Sequence, residues 1–357
     1  MKKSPLNDQG SIAAPGSRFS LACPRVRADT GLVSESSARV DYFLSHHDPS
    51  IRLLALRELA GAPGDDAEVR RAKAEVALSP QVLGLLEDMR PEGYWIQRDP
   101  RTGKEYGAGV EYGAYASTHY LLSYLAELGM DRSDPRIALA CERYLGLQSG
   151  DGDFWEHLSC LLGINLRTFE KLGYRDDPRV RASLGLLLGT HRPDSGYLCD
   201  MHEKPDRGVS GRLLKRPKSC YRGSAKVLLA FARFPECRAD PRAAALCEYF
   251  LNREGIFRNS EPAEFVVRGI ASPSFPFTWS ADVVQVLYAL SLMGRGADRR
   301  LERAWHVLST LRDEKGFIAL ASVPSQSPWK PEQRHRPSDW VTLYADIAAK
   351  MRNNASP

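Results

Sequence analysis

The sequence predicts an all-α fold in which about five helix pairs close into a double ring, an α/α toroid, preceded by a HEAT-like N-terminal helical cap. Three observations predict it. A turn built from a polar or acidic approach, a Gly and a large apolar residue recurs along the chain; a helix-starting Asp-Pro-Arg recurs between those turns; and helices that are apolar all round alternate with helices that carry a charged stripe. Almost no strand pattern competes. With 43% hydrophobic and 26% charged residues in 357, the composition is that of a soluble globular chain with a large core.

The elements follow in order. Residues 1–35 are rich in Ser, Gly, Pro and Ala without periodicity and are expected to form a mobile tail. They contain no apolar run of signal-peptide length, and no run elsewhere approaches a membrane span, so a cytoplasmic protein is expected. Seven Cys without a dense framework then read as reduced thiols. A net charge of +5 is mild for this length and gives no reason to expect a nucleic-acid partner. Residues 36–90 form the cap: in "DPSIRLLALRELAG" Asp48 caps, Pro49 takes the first helical position, and Ile51, Leu54, Leu56 and Leu59 keep helical spacing up to Gly61.

Residues 91–357 carry the repeat. "PEGYW" from Pro91, "SGDGDFW" from Ser149, "RPDSGYL" from Arg192, "NREGIF" from Asn252 and "RDEKGFI" from Arg312 follow one another at roughly 44 to 61 residues, the spacing of a repeat architecture. Gly suits a left-handed residue ending a helix, after which the ring can fold back on the last turn. Asp134, Asp177 and Asp240 each precede Pro-Arg, so Asp is the cap and Pro the first helical residue; "ADRR" from Ala297 takes the same place without Pro. The apolar helices are expected over 114–129, 156–173, 217–234, 278–294 and 338–351. A helix without a polar face must be covered on every side, which places these inside the ring and the striped ones outside.

On "QSGDGDFW" and its partial copies the chain resembles the terpenoid cyclase and protein prenyltransferase superfamily, whose toroids repeat Gln-x-x-Asp-Gly-x-Trp. From about Val40, "DPSIRLLALREL", "THYLLSYLAELG", "GYRDDPRV" and "RPSDWVTL" resemble bacterial squalene-cyclase-like or prenyltransferase-like proteins. The resemblance implies a cavity for an isoprenoid, with terpene cyclisation or prenyl transfer as the reaction. It also leaves open contact with a membrane surface. Neither the Asp-x-Asp-Asp acid of the cyclases nor the Asp-x-Cys zinc string of the prenyltransferases occurs here, so the resemblance carries fold further than chemistry.

In such a ring the N-terminal ends of the inner helices surround one mouth with unpaired N–H groups directed at it. His119, Cys160, Cys220 and Asp282 come from four successive inner helices and are ligand types that suit zinc; the alternative is two buried thiols, a hydrogen-bonded core His and a capping Asp. Cys199 and His202 are a weaker substitute. Asp282, one turn into an uncharged helix, is a candidate general acid because burial raises a carboxyl pKa, or else a cap bonded to Trp279 or Ser280 backbone groups; His119 is the second catalytic candidate. The basic run from Arg207 to Arg222 leads into an inner helix, so Lys218 and Arg222 are candidates for a diphosphate or other anionic head, or else belong to a solvated loop. Tyr115, Trp155, Tyr221, Trp279 and Trp340 are candidates for the apolar wall, beside Tyr112, Tyr120, Phe275 and Phe277. The expected ligand is a small hydrophobic molecule. A non-catalytic binding or interaction toroid and a toroid enzyme acting on anionic saccharides are the alternatives.

Overall fold

The computed structural model describes residues 31–107, 109, 114–154, 159–198, 219–278, 280–324 and 326–354. In chain order the helices are α1 (Gly31–Leu44), α2 (Pro49–Leu54) running into a π-helical turn (Ala55–Ala60), α3 (Ala67–Ala77), α4 (Pro80–Glu87), α5 (Thr118–Leu128), α6 (Pro135–Leu145), α7 (Ser159–Lys171), α8 (Pro178–Gly189), α9 (Tyr221–Phe231), α10 (Pro241–Leu251), α11 (Val283–Leu292), α12 (Glu302–Thr310) and α13 (Asp339–Asn354). Two short antiparallel pairs, Gln97–Arg98 with Glu105–Tyr106 and Ile318–Ala319 with Pro337–Ser338, are the strands among the described residues. The fold is all-α.

The alternation read from the sequence is the alternation of layers. Every residue of α5 and of α11 is buried, whereas α6 leaves Pro135, Leu139 and Glu142 exposed. Helices α5, α7, α9, α11 and α13 pack in that order as an inner layer, with α6, α8, α10 and α12 outside them. Gly163 of α7 lets the backbone of α9 approach: a Cβ there would stand 2.7 Å from the Lys226 carbonyl carbon. Helices α5, α9 and α11 begin about a turn later than their sequence pattern suggests, because Ser117, Cys220 and Asp282 are caps and not helical residues.

Outer helices start as expected, and the Arg of Asp-Pro-Arg has a role of its own. Asp134 Oδ1 accepts from Arg136 N at 2.8 Å while Arg136 Nη2 donates to Oδ2 at 2.7 Å. The same fold-back occurs at Asp177 with Arg179, Asp240 with Arg242 and Asp298 with Arg300. Arg179 and Arg300 also donate to Glu142 and Glu248 on the preceding outer helix, at 2.8 and 2.7 Å.

In four of the five copies the recurring turn is a closed loop; the fourth ends α10 as expected, with Glu254 and Gly255 left-handed and Gly255 N donating to Phe250 O at 3.0 Å. Arg90, Ser149, Arg192 and Asp313 each donate N–H to the carbonyl four residues on, and each accepts from the N–H three residues on. Gly93, Gly152 and Gly316 supply the left-handed residue, at φ of 82°, 92° and 80°. In the third copy Ser195 takes it, at 65°, and Gly196 instead sits where a Cβ would meet Ser219 and Tyr249. Three turns lie on an outer helix further along the chain: a Cβ on Gly93 would meet Leu139 of α6, on Gly152 Ala182 of α8, and on Gly255 Leu301 and Ala304 at the start of α12.

The last turn closes the circle. A Cβ on Gly316 would meet Arg39 of α1, so α1 occupies the outer slot after α12. Arg39 Nε donates to Asp346 of α13 at 3.0 Å, Tyr42 Oη to Asp339 at 3.0 Å, and Lys350 Nζ to Leu59 O. Helix α2 and its π-helical extension lie between α13 and α5, with Leu53 beneath Gly129. The section expected as a HEAT-like cap over 36–90 packs against α13 and α5, and its first helix starts at Gly31, inside the expected tail.

Candidate functional site

The inner helices begin at one end of the ring and finish at the other, and the two ends differ in chemistry. At the finishing end buried charges pair across the axis. Glu127 accepts from Arg167, from Lys171 Nζ at 2.8 Å and from Tyr344 Oη at 2.6 Å. Arg233 bridges Glu58 of the π-helical turn and Glu170 of α7, both at 2.7 Å. Burial lowers the Lys171 pKa well below that of a free lysine; burial raises the carboxyls of Glu58 and Glu170, but Arg233 together with the other cations beside them holds both below the usual range. These charges are matched by one another, as buried ions must be, and make a floor.

The beginning end is aromatic. Tyr115 and Tyr120 have ring centroids 4.8 Å apart, Tyr120 and Tyr124 6.3 Å, Tyr124 and Trp329 5.9 Å, Trp329 and Trp340 5.8 Å, Trp340 and Phe275 4.8 Å, Phe275 and Phe277 5.5 Å, and Phe277 and Tyr344 4.6 Å. The series runs from the turn before α5, across the loop before α13, to the loop before α11. Of the wall candidates it gathers Tyr115 and Trp340. Tyr221 points elsewhere: its Oη donates to Gly255 O at 2.6 Å and its ring packs on Phe250 of α10. Trp155, Trp279 and Lys218, with Tyr112, Cys199 and His202, lie outside the described residues.

Below the aromatics lies a polar knot. Asp282 is wholly buried and caps α11: Oδ1 accepts from Gln285 N at 3.1 Å, and Oδ2 from Ser274 N at 2.9 Å, Ser274 Oγ at 2.8 Å and Gln285 Nε2 at 2.8 Å. Its partners are thus Ser274 and Gln285, not the Trp279 or Ser280 backbone. Burial raises its pKa against those hydrogen bonds. Lys226 completes the knot, with Nζ donating to Phe277 O at 3.2 Å, Ser280 O at 2.5 Å and Gln285 Oε1 at 2.7 Å. Burial lowers the Lys226 pKa to about 7 in spite of Asp282 nearby. Its sequence signal was a lone lysine within "SAKVLLAFARF", otherwise as apolar as the other inner helices.

The four metal candidates are not assembled. Among the described residues no group of three or more His, Cys, Asp and Glu is placed to hold a metal ion. Each has a local task or place: Asp282 caps α11, Cys220 caps α9 with Sγ accepting from Gly223 N at 3.3 Å, Cys160 is buried in α7, and His119 sits among Tyr120, Tyr144 and Asn165. The His119 imidazole is 3% exposed, its Nε2 has no hydrogen-bond partner among the described residues, and burial lowers its pKa to about 4, so the ring is neutral at physiological pH. Arg222, at the start of α9, is exposed.

No family model matches the chain, and no curated protein matches it. Among solved structures it is similar to a polysaccharide lyase, 17% identical over 90% of this chain and 99% of that one with a TM-score of 0.49. It is similar also to a glycosyl hydrolase family 88 protein from Bacteroides vulgatus, 14% identical over 91% and 99% with a TM-score of 0.49. A variant of the type II terpene cyclase MstE from Scytonema, in complex with geranylgeranyl dihydroxybenzoate, is 14% identical over 79% and 97% with a TM-score of 0.32. The class that fold and site define is a helical ring filled at one end by a buried aromatic cluster and at the other by paired charges.

Proposed function

We propose that the protein binds a small hydrophobic molecule, an isoprenoid, at the end of the ring where the inner helices begin. The observation that carries this reading is the unbroken series of rings from Tyr115 through Trp340 to Phe277. Side chains so arranged offer faces and edges to an apolar chain and can hold a cation against their π systems. Binding comes before catalysis in this reading, because both oxygens of Asp282 and the ammonium of Lys226 are engaged in hydrogen bonds.

A second reading, an anionic saccharide, is favoured by the exposed Arg222 beside the mouth, since aromatic walls also stack sugar rings. Calorimetric titration of the full chain with farnesol, farnesyl diphosphate and an oligouronate distinguishes the two, alongside mass spectrometry of lipid extracted from the purified protein. Heat from either farnesyl compound and none from the oligouronate is the expected result. Binding of the oligouronate alone refutes the isoprenoid reading.

A further inference from the structure

We propose that Trp329 is a resident plug of this mouth: an indole that stands where the apolar end of the ligand goes and that swings out when the ligand enters. The inference rests on the binding reading above and adds to it the size and kind of group the site admits.

Trp329 lies at the middle of the aromatic series and is 5% exposed. Its ring meets three others at once, Tyr124 at 5.9 Å, Phe275 at 5.6 Å and Trp340 at 5.8 Å, edge-on or tilted to each. Tyr124 and Trp340 are held by inner helices. Trp329 is not: it comes down from the turn Gln326–Lys330, whose residues Gln326, Pro328 and Lys330 are exposed.

The backbone of that turn is lightly held. Among the described residues its backbone bond is a local one, Ser327 N to Pro324 O at 3.1 Å, and Ser327 Oγ donates to Trp329 O at 2.7 Å. Among the described residues the turn is tied also at the surface, from Gln97 Nε2 to Gln326 Oε1 at 3.2 Å, and beneath by the Ser327 side chain beside the Tyr124 hydroxyl of α5. Firm anchors lie on either side of the turn: Phe275 N donates to Ser322 O at 3.3 Å, and Glu332 Oε1 accepts from Asp339 N at 2.7 Å. A core indole is usually carried by an element whose ladder must break before the ring can leave. Here the ring can leave with its turn and break no helix or sheet hydrogen bond. Pro328 and Pro331 restrict the backbone on both sides of Trp329, so the turn moves as a unit and little chain entropy changes.

A group that replaces the indole must be apolar and about as broad, because Tyr124, Phe275 and Trp340 present ring edges and faces to it. A branched isoprene unit or an aromatic ring fits that description. An unsubstituted sugar does not, since the Tyr124 hydroxyl could meet one of its hydroxyls and the rest would be left unpaired among the rings.

The test uses the full chain, wild type and Trp329→Ala, titrated with farnesol, with hydrogen exchange of residues 326–330 followed in the wild type. If the indole competes with the ligand, removing it tightens farnesol binding by about ten-fold or more, since the ligand no longer waits on the open fraction. Farnesol should then speed exchange across 326–330 in the wild type. Equal or weaker binding by Trp329→Ala, or slower exchange on binding, overturns the plug and makes Trp329 a fixed wall, while the binding reading stands. No binding of farnesol by either protein refutes both. Should Trp329→Ala fail to fold by circular dichroism, Trp329→Phe, a smaller plug, is expected to tighten binding in the same direction, and the wild-type exchange decides independently.

Discussion

At the scale of single residues, Asp282 and Lys226 show how one neighbourhood constrains two buried charges. Both Asp282 oxygens accept, so an amide in its place must turn its NH2 toward a donor, Gln285 N or the Ser274 group. Asp282→Asn is therefore expected to lower stability by about 1 to 3 kcal/mol, read from urea unfolding, even though Asn is ordinarily a good cap. Lys226→Met leaves two carbonyls and the Gln285 amide oxygen without a donor and should cost about 3 kcal/mol. The pH dependence has a definite sign. Because burial holds Lys226 near 7 in the fold and an unfolded lysine titrates near 10.4, the unfolded chain binds more protons between those values, and this group makes stability rise with pH across that window. Unfolding free energies of the wild type and Lys226→Met, measured from pH 7 to 10, should differ by that slope; parallel profiles would refute it. Asp282 was legible as a carboxyl in an uncharged helix. Its partners were not, because Ser274 reaches it through a loop with no periodic signal. Trp329 was hidden for the same reason, in a proline-rich stretch between helices.

At the scale of elements, the repeat was legible because it is made of local chemistry. Asp at a cap and Pro after it act within one turn of helix, and they appear where the sequence places them. The Gly-aromatic turn was legible as a repeat, but only the copy at Gly255 ends a helix as expected; in the other four a left-handed residue sits in a closed loop, and only the closing hydrogen bonds tell the two apart. Those bonds give Gly152 two duties, a φ of 92° and contact with the α8 backbone, where a Cβ would stand 2.7 Å from the Ala182 carbonyl carbon. Gly61 has a comparable φ, 72°, with open space around it. Gly61→Ala should thus cost about 1 kcal/mol, the conformational penalty alone, and Gly152→Ala distinctly more, as thermal melts of the two variants would show. The starts of α5, α9 and α11 lie about a turn beyond the apolar pattern because it continues through their caps.

At the scale of the whole molecule, closure was legible as a double ring, but the closing piece was not. The section before residue 90 has its own caps and apolar periodicity, so nothing local says that its partner is α13, some three hundred residues away in the chain. Glu58 is the test of that closure. It belongs to the N-terminal section and is held by Arg233 and, at 3.4 Å, by Tyr288 Oη. Arg233 keeps the Glu58 pKa below its ordinary value, so the stabilisation is present above the unfolded value near 4.3 and is lost as pH falls through the folded one. Glu58→Gln should loosen residues 49–60 at neutral pH, seen as faster hydrogen exchange there, and the wild type should reach the same state only on acidification. Equal exchange in both proteins at neutral pH would show that the salt bridge contributes nothing to closure.

The seating of the fifth turn on α1 means that the order of helices around the circle does not depend on where the polypeptide is cut. Since α1 and α13 already lie side by side, a linker could fuse them and new ends could be opened at the exposed pair Gly294–Arg295 after α11. The rearranged chain would meet the same neighbours in the same rotation.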